Sequence, residues 1–189
     1  MQRNRPAARR ARAVLAVLVV VLVGLGGWLV WETAGYGLPP PGREPSDDGV
    51  SPTAREMVVA NLVRQQRGSG VLLVLQERGR ARYLVLTIGA AEAIAIAMPM
   101  QGEVAPRPLT HDLMARMLVE LRAEVVRVEV TELRGETYRA RLVLQAEGRE
   151  ITLDARPSDA IALALRAQVP IYAEADLLER AGISDEQPF

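Results

Sequence analysis

Apolar and polar positions divide the chain into three regions. Ala13 to Trp31 is a run of 19 residues without a charge. Gly35 to Pro52 has no periodicity and holds Pro39, Pro40, Pro41, Pro45 and Pro52, the composition of a semi-extended tether. Beyond Arg55 short apolar stretches alternate with turn residues. They predict strands over Glu56–Val63, Val71–Gln76, Arg82–Ile88, Val125–Leu133, Thr137–Gln145 and Glu150–Asp154. Val126, Val128 and Val130 fall on one face of the fourth strand and Glu129 on the other. Helices are predicted over Ala91–Met98, Leu109–Ala123, Ser158–Arg166 and Ala175–Arg180, with Pro99 to Pro108 a loop and Pro170 to Tyr172 extended. The second helix carries Leu113, Met117, Leu118 and Leu121 at helical spacing.

The patterned region repeats itself. Leu73-Val74-Leu75-Gln76 recurs as Leu142-Val143-Leu144-Gln145, and Glu92-Ala93-Ile94-Ala95-Ile96-Ala97 as Asp159-Ala160-Ile161-Ala162-Leu163-Ala164, at offsets of 69 and 67 residues. Each unit reads as three strands and then two helices. The expected class is α+β, with units at 55–123 and 124–182 sharing one core in a domain at 55–184, before a tail at 185–189.

Five arginines among residues 1–12 precede the apolar run, which is long enough to cross a hydrocarbon core of roughly 30 Å. A single transmembrane helix at 13–31 is expected. Its basic tail, 1–12, would be cytoplasmic, and the linker at 32–54 and the domain extracytoplasmic. The alternative, a secreted protein after signal cleavage, exports the same domain.

Composition removes several chemistries. There is no cysteine, hence no disulfide and no thiolate nucleophile or ligand. All 23 basic residues are arginine, so no Schiff-base or phosphate-loop lysine exists. From residue 50 onward 17 arginines face 19 acids, so any grip on nucleic acid must be local to a patch.

Two stretches concentrate polar chemistry: Arg107-Pro108-Leu109-Thr110-His111-Asp112-Leu113 and Asp154-Ala155-Arg156-Pro157-Ser158-Asp159-Ala160. With Ile88-Gly89, Glu92-Ala93 and Pro170-Ile171-Tyr172, they resemble the bifunctional nuclease family over about Val71 to Ile183. The resemblance implies a duplicated fold around a barrel-like mixed sheet with helices outside. It also implies the hydrolysis of DNA and RNA attributed to plant members.

Phosphodiester hydrolysis needs an activated water and a brace for phosphate charge. His111, the only histidine, is a catalytic candidate with Asp112, Asp154 and Asp159. Glu92, Asp154 and Asp159 are candidate ligands for a divalent metal, magnesium or manganese. Arg107, Arg156 and Ser158 are candidates for phosphate, at helix starts whose free N–H groups favour anions. The partners expected are nucleic acid, the membrane and a second copy of the chain. The competing expectation is a non-catalytic binding or assembly module of the cell envelope. In that case Thr110 and Ser158 are helix N-caps, and Arg107–Asp112 and Arg156–Asp159 are structural ion pairs.

Overall fold

Alternation sets the strands. In β2 (Val71–Glu77) every second residue, from Val71 through Leu73 and Leu75 to Glu77, is buried. Leu84, Leu86 and Ile88 do the same in β3 (Arg82–Ile88), whose bounds match the sequence expectation. The structure is a computed structural model and describes residues 50–66 and 68–184. The expected tail, membrane helix and most of the linker lie outside those residues, as do residues 185–189. Among the described residues no helix is long and apolar enough to cross a membrane.

The fold is α+β. Strands β1 (Arg55–Arg64), β2 and β3 form an antiparallel meander, as do β4 (Ala123–Arg134), β5 (Thr137–Ala146) and β6 (Arg149–Ala155). Helices α1 (Ala90–Gln101) and α2 (Thr110–Glu120) follow the first meander. After the second come α3 (Pro157–Ala167), β7 (Ile171–Ala173), α4 (Ala175–Ala181) and β8 (Ile183–Ser184). All eight strands lie in one mixed sheet, in the order β6-β5-β4-β7-β1-β2-β3-β8. The two meanders are therefore joined through β7, parallel to β4 and antiparallel to β1.

Closure into a barrel is not what the described residues show. The sheet is open, with β6 and β8 at its edges. Strand β8 spans two residues and pairs only with Arg82 and Tyr83, too short a strip to close the sheet. The repeat is also less regular than expected, because β7 separates the two helices of the second unit.

Helix α3 is the central packing element. Ala160, Ile161, Ala162, Leu163 and Ala164 are all buried, and the helix touches α1, α2, β4 and β5. Its small side chains permit those close approaches. Leu73, Leu75, Leu84, Ile96, Val128, Val130 and Ile161 meet in the same core.

Two local expectations are corrected. First, α1 does not stop before Pro99; it continues through it to Gln101 and ends on Gly102 at φ 66°, a left-handed cap that suits glycine. A proline inside a helix leaves the carbonyl four residues earlier without its donor. That carbonyl, Ala95 O, accepts from Arg166 Nη1 of α3 at 2.7 Å. Second, α2 turns its apolar ridge outward. Leu113, Met117 and Leu121 are 54, 53 and 71% exposed, whereas His111 and Ala115 are buried and Leu118 partly so. On β4, Glu129 is buried, as Val128 and Val130 are. Its carboxylate takes Arg127 Nε at 2.7 Å and Arg141 Nε at 3.0 Å, both guanidiniums lying over the sheet. Arg127 also donates twice to Glu150, at 2.8 and 3.0 Å. Two hydrogen bonds from the bidentate Arg127 hold the Glu150 carboxyl below its ordinary range.

Candidate functional site

Three helices begin close together, and each carries an acid as its third residue: Glu92 in α1, Asp112 in α2 and Asp159 in α3. Acids are favoured there because the first turn presents unpaired N–H groups and the positive end of the helix dipole. Asp112 shows the local effect. Its Oδ2 accepts from the backbone N–H of Leu109, the N-cap residue, at 2.8 Å. Leu109 has no side-chain acceptor to return the bond, so only half of a capping box exists. The N-cap of α3 is Arg156, which also lacks a side-chain cap bond. Thr110 and Ser158 are therefore the first and second residues of their helices, not N-caps; Ser158 is buried.

The starts of α2 and α3 meet. His111 Nε2 lies 3.1 Å from Asp159 Oδ1, with His111 buried. Asp159 also receives Arg156 Nε on Oδ2 at 2.6 Å. Arg156 Nη2 then reaches Glu92 Oε1 of α1 at 3.1 Å. A Cβ on Gly89, the N-cap of α1, would collide with the Glu92 carboxylate folded back over it. Glu92, Arg156, Asp159 and His111 thus form one hydrogen-bonded line across three helix starts. Burial pushes the Asp159 carboxyl up, but the hydrogen bonds from Arg156 and His111 outweigh it and hold the group below its ordinary range. Arg156 is the exposed member, at 66% of its side chain, and its Nη1 takes part in neither pair.

Other candidates stand apart from this line. Asp154 lies on edge strand β6, where its carboxylate takes Arg139 Nη2 at 3.0 Å. Arg107 does not pair with Asp112; it lines an open groove along α2. Asp112 is bound instead by Arg166 Nε at 2.6 Å. Both oxygens of Asp112 are thus taken by contacts that fix the start of α2. Arg166 is a residue that sequence reasoning missed. Two signals mark it: a charge in the last turn of a helix whose residues from Ala160 to Leu165 are all apolar, and a proline elsewhere whose helix needs a substitute donor.

The arrangement does not fit a bound divalent metal. Among the described residues no group of three or more His, Cys, Asp and Glu side chains is placed to hold one. Between Glu92 and Asp159 stands a guanidinium, and Asp154 has its own arginine. What the line offers is an imidazole held by a carboxylate, beside an exposed arginine with N–H groups to spare.

Comparison with known proteins gives related chains. The model of the bifunctional nuclease domain matches residues 73–186. The uncharacterized protein Rv1829 of Mycobacterium tuberculosis is 42% identical over 135 residues, covering 69% of this chain and 80% of that protein. Bifunctional nuclease 1 of Oryza sativa subsp. japonica is 28% identical over 120 residues, covering 62% of this chain and 36% of the rice protein. Bifunctional nuclease 2 of the same rice is 29% identical over 115 residues, 59% of this chain and 35% of that protein.

Proposed function

The chain belongs to the bifunctional nuclease domain family, and from that premise we propose that it hydrolyses phosphodiester bonds of DNA or RNA at the junction of its three helix starts. The observation that carries this is the His111–Asp159 contact beside exposed Arg156. The Asp159 carboxylate accepts a hydrogen bond from Nε2–H of a neutral His111, which leaves Nδ1 as the basic nitrogen. That nitrogen takes a proton from an attacking water as the water oxygen bonds to phosphorus, the general-base role; the ester P–O bond breaks, and the leaving oxygen takes a proton from the imidazolium or from solvent. Arg156 swings its guanidinium from Glu92 onto the phosphate and braces the charge that develops there. No step is assigned to a metal, because the acids present are held by arginines.

We further propose that the apolar run at 13–31 tethers the domain outside the membrane, so that its substrate is nucleic acid beyond the cytoplasm. Reporter fusions at the carboxyl terminus, active only when exported, test this placement.

A second reading rests on one feature: Glu92, Asp112 and Asp159 each already have an arginine partner. On that reading the junction is structural, and the domain is a binding or assembly module of the cell envelope. One assay separates the two. The purified full chain is incubated with single- and double-stranded DNA and RNA, with magnesium, manganese or chelator. Hydrolysis is expected in chelator and should fall about 100-fold or more in His111→Gln, the usual scale for a general base. Arg156→Ala should weaken both turnover and binding. Tight binding without turnover supports the second reading, and turnover that survives His111→Gln removes His111 from the mechanism.

A further inference from the structure

The outward face of α2 is strongly apolar. Leu113, Met117 and Leu121 form a ridge at i, i+4, i+8, each more than half exposed. Met114 flanks it, 39% exposed. Arg107, Pro108, Arg116 and Glu120 complete an open groove with Leu113, Met117 and Leu121. Contiguous apolar surface of this kind, rimmed by charge, marks an interaction site.

Two features select the occupant. Arg116 and Glu120 lie one helical turn apart and carry opposite charges, yet neither makes a side-chain ion pair or hydrogen bond among the described residues. Arg107, on the same groove, is likewise without one. The ridge is also symmetric in kind about its middle residue, with leucine at both ends and methionine at the centre. A two-fold axis near Met117 would lay α2 antiparallel on its copy. Leu113 would meet Leu121 of the other chain, Met117 its own equivalent, and Arg116 the neighbourhood of Glu120. Ridges at four-residue spacing interdigitate readily in this way, and an isologous contact requires a self-complementary patch. A lipid surface would match the arginines but would have to accommodate Glu120 as well.

We propose that the protein self-associates as a two-fold dimer through the exposed face of α2. The pairing leaves the His111–Asp159 line on the buried side of each helix. It would also place two sites, one per copy, in a fixed relation to each other, a geometry suited to a double-stranded or folded substrate.

The absence of cysteine makes the test direct. Full-length protein in detergent carrying Met117→Cys is oxidised, with Glu179→Cys on exposed α4 as the control. Rapid disulfide dimers at position 117 and few at 179 are expected. Adding Arg116→Glu or Glu120→Arg singly should slow cross-linking at least about tenfold, because like charges then face each other in a partly desolvated contact. Both reversals together should restore it. Equal cross-linking at 117 and 179 overturns the proposal, as does failure of the double reversal to restore the rate. A third result would also overturn it: position 117 fails to cross-link, yet vesicles of anionic lipid shield its thiol from a water-soluble reagent. That outcome assigns the face to the membrane.

Discussion

Arg166 does more for this fold than its place in an apolar helix suggests. Its side chain is 6% exposed, and it bonds Asp112 of α2, Ala95 O of α1 and Ala162 O of its own helix. One guanidinium therefore fixes the start of α2 and repairs the gap that Pro99 leaves in α1. Replacing it with methionine keeps the volume but strands Asp112 and Ala95 O. Loss of one partner from a fully buried pair costs about 3–5 kcal/mol; Asp112 keeps some access to water, so the loss should be smaller, and the urea midpoint should fall with it. Pro99→Ala gives Ala95 O a helical donor again. In the Arg166→Met background it should recover roughly 1 kcal/mol, one net hydrogen bond, while changing the parent protein little. A double-mutant cycle by urea unfolding measures the coupling; purely additive effects would show that Arg166 does not stand in for the missing N–H. This link was not legible in the sequence, because nothing local to Pro99 announces a donor 67 residues away. His111 and Asp159 were legible as chemical types, and Arg156–Asp159 as an ion pair, but not that two helix starts would bring His111 to Asp159.

At the scale of elements, what positions α2 is polar rather than apolar. Its buried stripe is His111, Ala115 and part of Leu118, and the two bonds at its start, His111–Asp159 and Asp112–Arg166, set its rotation. Periodicity alone favours the opposite rotation, since Leu113, Met117 and Leu121 make the stronger apolar stripe. Strands were better determined: a period of two with glycine turns at Gly135 and Gly148, both at positive φ, bounds β5 to within a residue. The polar pins make the helix junction sensitive to acid. Asp159 titrates lower in the folded chain than in the unfolded one, whose aspartates ionise near the ordinary value of about 3.9. Its contribution is therefore complete above that value and is lost as pH falls through the lower, folded value. Asp159→Asn removes the charge and should flatten the loss of stability below about pH 4, with the largest difference from the parent above it. Urea midpoints from pH 3 to 6 check the sign. A mutant with the parent's pH slope would mean that other acids, such as Glu150, carry the effect.

For the whole molecule, the repeat and the sheet order make one claim together. Two meanders of similar sequence are present, but they are not independent. Strand β7, from the second unit, supplies the neighbour for β1 of the first as well as for β4. Helix α3, also from the second unit, packs on α1 and α2 while lying on β4 and β5. The first unit alone would leave Leu73, Leu75, Leu84 and Leu86 with only α1, α2 and no central helix to cover them. Each unit, at about 60–70 residues, is also near the size at which a single core becomes marginal. A chain divided in the turn between α2 and β4 should therefore not fold as separate halves. Residues 50–122 and 123–184, expressed apart, should lack a cooperative thermal transition and bind dyes that report exposed apolar surface. Expressed together they should reassociate into one species with the parent's circular dichroism, because β7 and α3 then complete both units. Hydrolysis, if it resides at the helix junction, returns only with that complex, since Glu92 and His111 come from one fragment and Arg156 and Asp159 from the other. Either fragment melting cooperatively by itself would make the duplication two domains rather than one shared core.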